Sequence, residues 1–187
     1  MNTIITHLDN DRFPILEAES QPVSVPISAL DLEHIERMDV TLRDLEDGAA
    51  GLAAVQIGYP KRIFLLRKDG ENRVFINPTV IARSKETRKR PEACLSLPGL
   101  VVQTTRPKSV TLKYFDLEGA EHTETFAGFW AQAVAHEMDH LNGTLLTRHL
   151  EAQYAKTDTR TKFGMKMNAH RTKAIAKRRA KNKRSKK

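Results

Sequence analysis

Apolar positions recur along this chain with two different periods, and the change from one to the other separates predicted helices from predicted strands. Between residues 30 and 46, Ile35, Met38, Leu42 and Leu45 are spaced three, four and three apart, with charges on the other faces. That spacing predicts an amphipathic helix. It runs into a stretch of small residues, GAAGLAAVQIG at 48–58. The runs RIFLL (62–66) and RVFINP (73–78) flank Asp69-Gly70, which predicts a β-hairpin. A polar loop, ARSKETRKRP, then leads into EACLSLPG (92–99). VVQTTR, SVTLKYF and HTETF read as further strands, with a turn at Glu118-Gly119. A second helix is predicted from about residue 126 to 142, ended by Gly143. Pro14, Pro22 and Pro26 mark residues 4–26 as an extended arm with turns. The fold class is α+β: short, mostly antiparallel strands packed around one central helix.

That second helix carries AHEMDHLNG at 135–143. His136 and His140 are four residues apart, about 400° of helical turn, so both imidazoles leave one face roughly 6 Å apart. This is a two-point chelate for a divalent metal, with Glu137 beside it as a candidate acid/base. Two surface histidines on an amphipathic helix would be the plainer explanation. Ala133, Val134, Ala135 and Leu141 make the helix largely apolar, however, so it should be buried, and buried imidazoles need partners. The third ligand decides the class. Downstream, His149, Glu151 and His170 fall into no recognisable pattern. Upstream stands Cys94, the single cysteine, which can form no intrachain disulfide. A lone cysteine is ordinarily a small buried hydrophobe. Here a thiolate with two imidazoles would leave a fourth tetrahedral position open for water, as a hydrolytic site requires.

GLAAVQ (51–56), EACLS (92–96) and HEMDHLNG (136–143), in this order and spacing, resemble the three motifs of peptide deformylases, and the likeness covers roughly residues 4–150. The resemblance implies a metal-dependent hydrolase that removes the N-formyl group from the initiator methionine of nascent polypeptides and releases formate. It implies Cys94, His136 and His140 as ligands to one divalent metal ion, Fe2+ first, with Zn2+, Ni2+ or Co2+ as substitutes. Glu137 would take a proton from the attacking water and deliver one to the leaving amine. Gln56 and the backbone N–H of Leu95 would bind the developing oxyanion. The backbones of Ala50, Gly51 and Ala93 would pair with an extended substrate. Arg106 is the expected ion-pair partner of Asp139, a brace for the metal-bearing helix. Phe129 and Ala133 lie seven and three residues before His136 on roughly its face. They either line the pocket for the methionine side chain or pack in the core. Three positions depart from the family pattern. Ala49 and Ala93 replace glycines, and Leu146 stands where an aromatic is frequent. If Ala93 needed a positive φ it would cost about 1 kcal/mol or more; with a negative φ it merely adds a methyl.

Charge divides the chain. Residues 156–187 hold fourteen Lys/Arg against one acid, whereas residues 1–155 hold seventeen against twenty-two. This predicts a catalytic domain over 1–150 and a basic C-terminal extension, tail or helix, over 151–187. The extension is either a solvated tail or a ribosome or rRNA contact, electrostatic and sequence-tolerant because its closing run AIAKRRAKNKRSKK has no aromatic to stack on a base. Such a basic C-terminal segment resembles, in position and charge alone, the helix by which some bacterial deformylases dock on the ribosome. No apolar stretch approaches the roughly 20 residues of a membrane span. The early acids Asp9, Asp11, Glu17 and Glu19 fit no targeting segment, so the chain is expected in the cytoplasm. Two other functions compete: a general metallopeptidase, disfavoured by EACLS, and a non-catalytic RNA-binding protein with a structural metal.

Overall fold

The structure, a computed structural model, describes residues 4–45 and 49–150. The basic segment lies outside the described residues. Two helices and seven strands position the site. Helix α1 (Ala29–Asp44) and strand β1 (Gly51–Ala53) come first, followed by a short 3-10 turn, Ala54–Ile57. Strands β2 (Ile63–Lys68), β3 (Glu71–Arg83), β4 (Thr87–Ala93), β5 (Val101–Pro107), β6 (Ser109–Phe115) and β7 (Glu121–Ala127) lead to helix α2 (Phe129–Leu141). One sheet has the order β1-β2-β3-β6-β7, and β4 pairs with β5 in a second, two-stranded sheet. Every pairing between these strands is antiparallel.

The core explains why IFLL in β2 is apolar without alternation. Phe64 and Leu66 face one way, onto Val134, Met138 and Leu141 of α2. Ile63 and Leu65 face the other way, onto Ile35, Met38 and Leu42 of α1. A strand covered on both faces loses the polar half of its pattern. Each of these side chains is almost wholly removed from water. Burial of that kind stabilises by about 1.5–3 kcal/mol per residue.

The hairpin closes with Lys68 opposite Glu71, and Asp69 and Gly70 both take positive φ (54° and 84°), the two-residue turn whose twist suits paired strands. Asn77 also takes a positive φ of 48°, where the β3–β6 register shifts between Ile76 and Thr79. Its side chain accepts from the Val23 N–H (2.8 Å) and donates to the Val23 carbonyl (2.7 Å), tying the N-terminal arm to the sheet. Within that arm, Phe13–Glu17 form a 3-10 turn.

Three local expectations need correction. ARSKETRKRP is mostly strand, with β3 running to Arg83 and β4 beginning at Thr87. Its exposed face lacks apolar residues because nothing in the described chain covers it. The second helix starts at Phe129, since Phe126 still belongs to β7, opposite Val110, and Gly128, at φ 63°, makes the corner. The strands are not all short, as β3 spans 13 residues. No described helix is long and apolar enough to cross a membrane.

Candidate active site

Three chain segments far apart in sequence meet at one cleft: the edge strand β1 with its 3-10 turn, the end of β4, and α2. The cleft has a volume of about 530 Å³. Ala50, Gly51, Ala93, Leu95, Phe129 and Ala133 line it together with Gln56, Cys94, His136 and Glu137. Phe129 is half exposed, at the mouth. Because β1 is an edge strand, one row of its backbone groups has no sheet partner.

Helix α2 places His136 and His140 one turn apart, with ring centroids separated by 5.1 Å. Cys94 follows directly on β4, and its Sγ lies 3.3 Å from Nε2 of His140. One ligand atom from each of Cys94, His136 and His140 can be chosen so that all lie within 4.8 Å of one another. Nδ1 of His136 donates to Oε2 of Glu92 (3.2 Å), which leaves Nε2 free to ligate. Burial works against a charged His136, but Cys94 and Glu92 outweigh it and push the imidazole up to about 10. His140, enclosed and beside His136, is driven down to about 3. The thiolate–imidazole donor set fits a borderline-soft divalent metal.

Glu92 is the hub of the support. Its Oε1 accepts from Thr104 Oγ1 (2.6 Å) and Arg106 Nε (2.9 Å), and its Oε2 accepts from Arg106 Nη2 (2.9 Å). Arg106 Nη1 continues to Asp139 Oδ2 (2.6 Å), to which His149 Nε2 also donates (2.9 Å). Burial alone would raise Glu92, but Arg106 and His136 hold it well below the carboxylate range. Asp139 is likewise lowered: burial opposes, while His149 and Arg106 prevail.

Glu137 is different. Burial pushes its carboxyl up to about 7, and Oε2 has no hydrogen-bond partner among the described residues. Its Oε1 lies only 2.6 Å from where a Cβ on Gly51 would sit, and Leu65 O lies 2.9 Å from the same point. Gly51 therefore makes room for the carboxylate. Gln56 is oriented at both ends: its Oε1 accepts from Ala53 N (2.9 Å), while Nε2 donates to Ser96 Oγ (3.1 Å) and lies 3.9 Å from Cys94 Sγ.

Ala93 is the last residue of β4, opposite Val101, and is not among the residues with positive φ. Its methyl is unstrained and exposed. Ala49 is unstrained in the same way, and Leu146 is buried. Sequence reasoning missed Glu92, Ser96, the ion-pair role of His149, and Gln132, which lines the cleft and donates through Nε2 to the Pro91 carbonyl (3.1 Å). Glu92 and Ser96 stood within quoted motifs, and Gln132 precedes His136 by one helical turn, so spacing could have found it. Thr104 and His149 carried no such signal, because their partners are distant in sequence.

A model of the polypeptide deformylase family matches residues 3–156. A peptide deformylase of Rhodopseudomonas palustris (strain BisA53) is 46% identical over 107 residues, covering 54% of this chain and 59% of that protein. One from Rhizobium meliloti is 39% identical over 134 residues, covering 68% of this chain and 77% of that protein. The crystal structure of peptide deformylase from Thermotoga maritima superposes with a TM-score of 0.72 at 32% identity, covering 80% of this chain and 97% of that one. In sequence along most of its length and in fold, the chain belongs to the polypeptide deformylase family.

Proposed function

We propose that this chain carries out the hydrolytic reaction of its family with Glu137 as acid/base and Cys94, His136 and His140 as holders of one divalent metal ion. The reaction removes the N-formyl group from the N-terminal methionine of nascent chains. Deformylases are metal-dependent, and the trio of donors is where a metal fits. Fe2+ is the ion we assign, with Zn2+, Ni2+ or Co2+ as substitutes. When bound, the ion supplies a Lewis acid that polarises the formyl carbonyl and acidifies water.

The chain's own residues supply the rest. The extended substrate lies along β1, with Ala50, Gly51 and Ala93 offering backbone and the Phe129–Ala133 side of α2 receiving the methionine side chain. Gln56 Nε2 and the Leu95 N–H bind the formyl oxygen as negative charge develops on it. Glu137, kept close to neutral pH in its titration, takes a proton as water adds to the formyl carbon and delivers it to the amine nitrogen as the C–N bond breaks. Formate and a free α-amino group result. Arg106 and Asp139, with Glu92, brace α2 and the His136 ring.

The observation that carries this reading is the buried, half-unpartnered Glu137 carboxylate set against Gly51, in the cleft that Cys94 and His136 also line. The test is formate release from a formyl-Met tripeptide by anaerobically Fe2+-loaded protein beside its Glu137→Ala variant. Turnover that drops about 10²-fold or more in the variant supports the role. Equal turnover in both would remove it. The fourteen Lys/Arg of residues 156–187 support contact with ribosomal RNA in the cytoplasm, tested by salt-sensitive RNA binding that truncation after Leu150 abolishes.

A further inference from the structure

A second concave surface adjoins the cleft and has the opposite character. On β4, alternation turns Arg88 and Arg90 to the side that carries Glu92, while Lys89 faces away. Arg88, Arg90 and Lys108 line a cavity of about 280 Å³ whose other walls are Pro107, Ala127, Gly128 and Gln132. Arg106 also borders it, but is committed to Glu92 and Asp139. Lys108 pairs with the exposed Glu86 at 2.6 Å. No described carboxylate forms an ion pair with Arg88 or Arg90.

This concentration of charge runs against the rest of the body. Residues 83–90 hold five Lys/Arg and one acid, although residues 1–155 hold more acids than bases. Arg88 even stands directly opposite Arg106 across the β4–β5 ladder, a like-charge pairing that destabilises a sheet. A surface that keeps unpaired guanidinium groups beside a cavity has the chemistry of an anion seat.

We propose that Arg88, Arg90 and Lys108 seat a backbone phosphate of RNA beside the substrate cleft. The choice of partner rests on the deformylase reading, since a nascent chain is presented on an RNA-rich particle. The cavity is smaller than the roughly 300–1,000 Å³ of small-molecule pockets, which favours one group of a larger polymer over a whole free ligand. It has no aromatic lining on which a base could stack, so the contact reads charge and not sequence.

The test uses the full chain and a short single-stranded RNA, with affinity measured across a salt series. Each phosphate contact contributes about 0.7 to the slope of log affinity against log salt for a single strand. Arg88→Gln/Arg90→Gln, which empties the seat of its one phosphate, is expected to make the slope shallower by about 0.7. Arg43→Gln/Lys113→Gln, an equal charge change at exposed ion pairs elsewhere, should leave it unchanged. Arg88→Lys/Arg90→Lys should keep the slope. An equal loss in the control pair, or no change in the Gln variant, overturns the seat. So does binding to phosphatidylserine vesicles that the Gln variant loses while its RNA binding persists. Formate release from a free formyl-Met tripeptide, followed in the same preparations, should stay within about twofold of wild type for the Gln variant. If wild type itself releases no formate, the catalytic reading fails while the RNA comparison remains readable.

Discussion

At the scale of single residues, the site depends on two tight fits. A methyl at position 51 would collide with Glu137 and the Leu65 carbonyl. Gly51→Ala is therefore expected to lower kcat for formate release by about 10²-fold through misplacing the carboxylate. Kinetics beside a thermal melt would check this, because a fall in turnover matched by general unfolding would point elsewhere. Arg106 is the second fit. Arg106→Met leaves the buried Glu92 and the partly exposed Asp139 without their shared guanidinium, an expected loss of about 3–5 kcal/mol of stability in urea denaturation. Affinity for a divalent metal should also fall about 10–100-fold, because Glu92 then holds His136 less firmly. Ala93→Gly should do neither. Position 93 lies outside the positive-φ region, so the family's glycine there would alter turnover little and cost under about 1 kcal/mol.

At the scale of elements, the helix ends carry most of the local specification. Helix α2 stops with two backbone bonds, Gly143 N to His140 O (3.1 Å) and Thr144 N to Asp139 O (2.8 Å), with Gly143 at φ 64°. A Cβ there would also come within 2.5 Å of Glu17 O. Gly143→Ala should thus destabilise by more than about 1 kcal/mol, read from the denaturation midpoint. Helix α1 begins with Ser28 accepting from Asp31 N (3.1 Å), while the Asp31 carboxylate bonds the Ser28 hydroxyl and Tyr59 Oη (2.6 Å). Burial opposes the charge on Asp31, but Ser28 and Tyr59 win and lower it. A depressed carboxyl contributes stability above its unfolded value of 3.8 that is lost as pH falls through the folded one. The stability difference between wild type and Asp31→Asn should accordingly shrink in acid. Burial and Asp31 push Tyr59 up to about 12, so its share persists below pH 10 and is lost between there and 12. A difference that grew in acid would contradict the assignment.

At the scale of the whole molecule, the donor trio ties α2 to the end of β4, two elements with separate sheet and core environments. A metal held by both binds the folded state only, so it should stabilise by about 2.7 kcal/mol at one hundred times its Kd. Removing it with a chelator should lower the Tm, and restoring Fe2+ or Zn2+ should recover it. An unchanged Tm would mean that the trio holds no metal.

The sequence by itself determined the elements whose patterning is local. The 3-4-3 spacing of α1, the Asp69-Gly70 hairpin and the His136–His140 chelate all follow from the geometry of one helix or one turn. Its motifs also pointed to Cys94 across 42 residues, through a resemblance and not through periodicity. ARSKETRKRP was illegible as strand because exposed antiparallel residues need no apolar alternation, and only the facing β5 defines them. The Thr104–Glu92–Arg106–Asp139–His149 network was largely illegible for a related reason: hydrogen bonds between distant residues leave no period in a sequence. The closeness of Glu137 to Gly51 belongs to the same class. It arises where a helix packs on an edge strand, and only the tertiary structure could decide it.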